Sequence, residues 1–184
     1  MANRTTTSTA SLLPFLFLLT IAGTSFATDT DRLSQEDDIR EAVFRHQFDH
    51  NASGQQKSAH AYCLAIQSGG KDSDPSDRFM KRFAHDKPPV RKVSACHWAS
   101  MQVAEKRTGR SALIFRISRL TWISDTEVSV DGGYDEGNLS SSGNTYTVRR
   151  QNGKWAVTSD KMNVVSENLV PAGVFPSASA AVRL

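Results

Sequence analysis

Hydrophobic positions change their spacing along the chain. In LSQEDDIREAVFRHQFDHN, residues 33–51, the period is helical: at about 100° per residue, Ile39, Ala42, Val43 and Phe44 form one broad apolar arc. Glu41, Arg45 and Asp49 fall on the opposite side. Ser34 followed by Asp37 resembles a capping box and predicts the helix start. Gln47 and His50 lie inside the apolar arc, where a purely structural helix would carry leucine. SAHAYCLAIQ alternates as a strand, with Tyr62, Leu64 and Ile66 on one face and Cys63 on the other, until Gly69-Gly70 breaks it. DPSDRFMKRFAHDKPPV predicts a short helix with Asp74 as N-cap and Pro75 at its first position, stopped by Pro88-Pro89.

From Val93 onward the period is two. VSACHWASMQVA and SALIFRISRLTWI predict two long strands either side of EKRTGR, the second with Leu113, Phe115 and Ile117 on one face. TEVSVDGGYDEG continues with Val128, Val130 and Tyr134, and Gly132-Gly133 invites a bulge or bend. The last hairpin turns at Asn152-Gly153, the residue pair that a type I′ turn favours. Counting outward from it, Gln151 faces Lys154, Arg150 faces Trp155, Arg149 faces Ala156 and Val148 faces Val157. Tyr146, Val148, Trp155 and Val157 then share one face, and Arg150 over Trp155 is a candidate cation–π contact. The expected fold is α+β: a long N-terminal helix packed on a curved antiparallel sheet of about five or six strands, plus one short helix.

The ends of the 184-residue chain change this picture. Arg4, the apolar run Leu12–Ala22 and the small residues around Ser25-Phe26-Ala27 predict a cleaved signal peptide over residues 1–27. The run is too short for a confident membrane span, and no cysteine stands at the cleavage point to carry a lipid. A single domain is expected over residues 28–166, and a poorly ordered tail over 167–184, where periodicity gives way to Ser, Ala and Pro. The protein is therefore expected to be secreted or periplasmic, with no stable membrane insertion after cleavage. Cys63 and Cys96 suggest one disulfide in an oxidising compartment. A formal charge of +3, without an aromatic-studded basic stripe, gives no case for nucleic acid. Asn51-Ala52-Ser53 and Asn138-Leu139-Ser140 are glycosylation sequons if the source is eukaryotic.

A helix followed by a curved sheet ending in YTVRRQNGKWAVTSDKM resembles the cystatin-like α+β group, including its NTF2-like and SnoaL-like members, and more narrowly small exported bacterial proteins of that type. The resemblance implies a helix–sheet pocket in the NTF2-like case. The protease-inhibitor branch is disfavoured, since Gln102-Val103-Ala104 lacks the Gln-x-Val-x-Gly loop and no Pro-Trp occurs.

The candidate chemistry is sparse. Gln47 and His50 on the helix, with Tyr134 and Tyr146 on strands that could face them, are candidate pocket residues and a workable acid–base set. His46 and His50, one turn apart with Asp49 between them, are weak metal-ligand candidates. Ser140-Ser141-Ser142-Gly143 reads as a loop tip, and Asp131, Asp135 and Glu136 as a solvated acidic turn. No cofactor motif occurs. The first reading is a non-enzymatic exported protein whose sheet binds a protein partner or small ligand. The alternative is an NTF2-like small-molecule-binding protein or enzyme with an acid–base pocket between helix and sheet.

Overall fold

The first helix, α1, runs Asp29–His50 in a computed structural model that describes residues 29–137 and 140–165. The expected leader, the tail and the Asn138-Leu139 part of the second sequon lie outside those residues. Ser34 is an interior position of α1 and not its cap, because no Gly or Pro between Asp29 and Leu33 halts the helix. Arg40, reaching back to Glu36 at 2.8 Å, staples that early turn. The arc appears as expected: Ile39, Val43 and Phe44 are fully buried and Asp49 is exposed.

Among the described residues nine strands join one sheet: β1 Ala61–Ser68, β2 Lys71–Ser73, β3 Val90–Lys92, β4 Cys96–Ala99, β5 Gln102–Glu105, β6 Ala112–Ser124, β7 Glu127–Gly137, β8 Ser140–Gln151 and β9 Lys154–Val165. The sheet is mixed, which corrects the antiparallel expectation. β1 lies parallel to β6 on one side and to β3 on the other, while β2 folds back antiparallel on the remainder of that second edge. β6, β7, β8 and β9 follow as an antiparallel meander. The I′ turn is present, with Asn152 and Gly153 both at positive φ, and the first four pairs have the expected register. Trp155, however, meets Trp122 edge-on at 5.5 Å, and the cation over an indole is Arg32 on Trp122.

Other expectations shift locally. The second helix, α2, is one turn, Asp77–Met80, extended by a 3-10 turn at Lys81–Phe83. Ser76 caps it by accepting from the Phe79 N–H, whereas Asp74 accepts from the Ser94 N–H and hydroxyl and ties two loops together. The long strand expected from Val93 is instead a 3-10 turn, Val93–Ala95, followed by the β4–β5 hairpin. Ser100 at positive φ makes the reversal that separates them. The presumed Ser140–Gly143 loop is the start of β8, and the presumed acidic turn lies within β7. There Asp131 pairs with Arg119 and Asp135 with Arg116, each charge neutralised in the sheet.

Each face of the sheet carries a packed cluster. On the concave face, α1 and α2 bury Phe44, Phe79 and Phe83 against Leu64, Phe115 and Val130. On the other face a small cluster of Ala61, Cys63, Ala65, Val103 and Ile114 lies under the β4–β5 hairpin. Cys63 and Cys96 are disulfide-bonded, with Cα atoms 6.4 Å apart, so the hairpin is fastened to β1 across 33 residues of chain. No helix among the described residues is long and apolar enough to cross a membrane.

Replacing both cysteines by serine is expected to lower the unfolding free energy by about 3–4 kcal/mol through the freed loop entropy. Urea denaturation monitored by circular dichroism measures this, and an unchanged midpoint would mean that the hairpin is held without the bond.

Candidate functional site

Where α1 ends, the sheet curls toward it and leaves a cleft of about 160 Å³. Its helix side is Gln47 and His50, continued by Asn51 and Ala52. Its sheet side is Tyr134 from β7, Ser142, Asn144 and Tyr146 from β8, and Asp160 and Met162 from β9. Four residues selected from separate parts of the sequence, Gln47, His50, Tyr134 and Tyr146, thus line one space.

Gln47 is the centre of it. The side chain is 2% exposed, and its Nε2 stands 3.2 Å from the Arg116 carbonyl, 3.3 Å from the Gly133 carbonyl and 3.2 Å from the Tyr146 hydroxyl. Two N–H bonds are therefore shared among three acceptors, which fixes the amide orientation. Glycine at 132 makes the approach possible. A Cβ there would collide with the Arg116 carbonyl oxygen and stand 3.2 Å from Gln47 Nε2, and one on Gly133 would enter the Ser142 carbonyl. The bulge expected at these glycines lies instead on β6, where Ser118 is the extra residue between the Ile117 and Arg119 pairs. Gln47 Oε1 is buried with no hydrogen-bond donor among the described residues.

Asn144, 8% exposed, has the same character. Its Nδ2 donates to Asp160 Oδ1 at 2.6 Å, while its Oδ1 is buried without a partner among the described residues. Asp160 Oδ2 lies 3.1 Å from His46 Nε2. The His46 ring stacks on His50 at 4.3 Å, nearly parallel, and meets Tyr146 edge-on at 5.8 Å. His50 does not point into the core as its place in the arc suggests. It is exposed at the rim, with Nδ1 3.1 Å from the His46 carbonyl, because α1 ends there and the last turn is uncovered. Asn51 closes the helix by donating from Nδ2 to the Gln47 carbonyl at 2.6 Å, and its Oδ1 accepts from the Ser53 N–H. Both atoms of this sequon amide are engaged.

The metal candidates are not gathered. Asp49 lines a different groove with Arg45, Tyr62 and Asp86, and His46 is turned to Asp160. Among the described residues no three His, Cys, Asp or Glu side chains stand together as a metal site.

The electrostatics are those of phenols beside acids. Burial pushes the Tyr146 hydroxyl up to about 12; the Gln47 N–H opposes this and the Asp160 charge adds to it. Tyr134 is raised too, chiefly by burial, against a hydrogen bond with Ser140 and with the help of Glu136. Both phenols are thus neutral donors at physiological pH. Glu136 is itself buried, accepting from the hydroxyls of Ser53 and Ser140. No lysine or arginine lines the cleft.

Sequence reasoning missed Asn144, Asp160 and Met162. Counting straight from the Asn-Gly turn puts Asp160 on the outer face, but Thr158 is an extra residue between the Val148–Val157 and Thr147–Ser159 pairs. The strand beyond it changes face, and Asp160 comes opposite Tyr146.

No family model, curated protein or solved structure matches this chain.

Gly133→Ala is expected to cost about 3 kcal/mol or more, since the clash is with backbone on a central strand; thermal unfolding reads this directly. For Tyr146, an ordinary phenol titrates near 10, so the stability it contributes is fully present below about pH 10. It is lost as pH rises from about 10 toward 12, because the unfolded chain releases its proton first. Near-ultraviolet titration should show all three phenols titrating late, with the latest of them lost in Tyr146→Phe. A normal titration for all three tyrosines would contradict the burial.

Proposed function

We propose that this is an exported α+β protein of the cystatin-like/NTF2-like type that binds a small molecule in the cleft at the C-terminal end of α1. The carrying observation is the convergence of Gln47, His50, Tyr134 and Tyr146 on a single space bounded by helix and sheet. A concave site with a few placed polar groups is the usual form of a ligand pocket. At about 160 Å³ the cleft is smaller than the ~300 Å³ typical of sites for drug-sized ligands, which restricts the occupant to a compact molecule or one end of a longer one. The disulfide and the lack of a membrane-spanning helix among the described residues agree with export.

Binding without chemistry is the reading favoured here. Both phenols are held neutral, and the His50 ring, which donates from Nδ1 to the His46 carbonyl, sits at the exposed rim rather than among the buried groups of the cleft. The enzymatic alternative rests on the Asp160–His46 pair at 3.1 Å, which would orient His46 as a base if a substrate reached its ring.

The test is a fragment screen against the isotopically labelled protein, followed by thermal shift. A compact ligand is expected to perturb the side-chain amides of Gln47 and Asn144 and to raise Tm with concentration, by about 2.7 kcal/mol at a hundredfold excess over Kd. His50→Ala, at the exposed rim, should fold normally and weaken the shift. Ligands that perturb only the outer sheet face, around Arg149 and Thr158, would move the site there and leave the cleft as packing.

A further inference from the structure

The cleft offers a ligand an unequal set of hydrogen-bonding groups. Its two most buried polar side chains, Gln47 and Asn144, have their N–H groups committed inside the protein and their carbonyl oxygens without a protein donor. Either oxygen left unpaired costs about 1–3 kcal/mol. The one carboxylate in the lining, Asp160, has the Asn144 amide and His46 as its partners among the described residues, and no Lys or Arg. Each Asp160 oxygen accepts one contact there, and a carboxylate oxygen has a second lone pair to give. Two aromatic rings, Tyr134 and Tyr146, complete the walls, and each lies within the field of an acid: Glu136 for Tyr134 and Asp160 for Tyr146. Ring faces and unpaired acceptors without a fixed cation attract positive charge that brings its own N–H donors.

From this geometry we infer that the cleft binds a small organic ammonium group, with Asp160 as its counter-ion and Asn144 Oδ1 and Gln47 Oε1 as acceptors for its N–H bonds. The inference rests on the cleft being the ligand site. It adds that the occupant is a primary amine and not a carboxylate or phosphate, which would bring a second negative charge against Asp160 with neutral hydroxyls but no lysine or arginine of the lining to balance it. The cleft volume suits the ammonium and a short alkyl stem packed along Met162, 46% exposed at the mouth.

Three probes of equal length and different head group decide it: butylammonium chloride, butanol and sodium butyrate, titrated at neutral pH while the side-chain amide signals of Gln47 and Asn144 are followed. Butylammonium should shift both signals and bind at least about tenfold more tightly than butanol, with butyrate not binding. Asp160→Asn, close to isosteric, should lose that preference, and His46→Gln, which leaves the carboxylate in place, should keep it. Circular dichroism of both variants establishes folding; if Asp160→Asn does not fold, the probe series and His46→Gln carry the test. Equal or tighter binding of butyrate, or ammonium preference surviving in folded Asp160→Asn, would overturn the inference. If all three probes fail while other fragments still shift Gln47 and Asn144, the ammonium class is wrong and the cleft reading stands. If no fragment shifts them, both fall.

Discussion

The architecture depends on how closely three backbones and one side chain approach at Gly132-Gly133. Glycine there lets the Arg116 carbonyl of β6 and the Ser142 carbonyl of β8 close on β7 from both sides, within the space a Cβ would take. Strands so close curl, and the concavity that results receives α1. Gln47 then does for the helix what leucine cannot: it hydrogen-bonds two backbone carbonyls of the curled strands while lying in the apolar arc. These bonds set the depth and rotation of the last turn of α1, and hence the placement of His46 and His50. The apolar contacts of Val43 and Phe44 supply burial of about 1.5–3 kcal/mol each, but burial is non-directional and would tolerate rotation that the amide forbids.

The cluster on the opposite face of the sheet is held by different means. There the side chains of β1 and β6 are small, Ala61, Ala65 and Ala112, and a few aliphatic contacts with the β4–β5 hairpin would be a weak hold on their own. The disulfide supplies the constraint that a larger core would otherwise provide. The small side chain of Ala65 has a second consequence. Arg116, its neighbour on β6, reaches across β1 to Asp72 on β2 with two contacts of 2.7 Å, and its other nitrogen meets Asp135 at 2.6 Å. The hydrogen bonds from Arg116 hold the Asp72 carboxyl below its usual range. One guanidinium thereby links a short edge strand to the centre of the sheet, where β2 alone has only three paired residues.

What was legible in the sequence was whatever depends on neighbours along the chain. The helical arc, the Asn-Gly turn with its first four pairs and the alternating face of β6 up to Ile117 follow from local periodicity and turn chemistry. The errors of facing on β6 and β9 share one cause, which is that an inserted residue inverts a period of two. Ser118 on β6 and Thr158 on β9 are extra residues, and beyond each the inward set changes parity. Past the first, Leu120 and Trp122 come to the core side; past the second, Asp160 and Met162 reach the cleft. Neither residue has a composition that announces a bulge. The parallel pairing of β1 with β6 was equally hidden, since it joins Ala61 to Ala112 and Ile66 to Ile117, far apart in the chain, in segments whose own patterns are those of any half-buried strand. Gln47, His50, Tyr134 and Tyr146 could be read; Asn144 on β8 and the residues on β9 could not.

Among the described residues, the two buried side-chain oxygens without a donor both belong to residues of the cleft. Elsewhere the buried carboxylates are satisfied, Glu105 by Arg91 and Thr108 and Glu136 by two serine hydroxyls, and the other buried side-chain atoms without a partner among the described residues, Arg40 Nε and Trp122 Nε1, are donors rather than acceptors. A chain selected only to fold would fill positions 47 and 144 with apolar side chains of similar volume, since replacing a half-satisfied pair by a packed hydrocarbon is often neutral or stabilising. Instead two amides bond through their nitrogens, leave both oxygens without a protein donor, and do so on opposite walls of the same space. Packing does not require that coincidence. A ligand that donates to both oxygens at once explains why each amide persists, why Asp160 is left without a cationic side chain, and why the helix ends where the cleft begins.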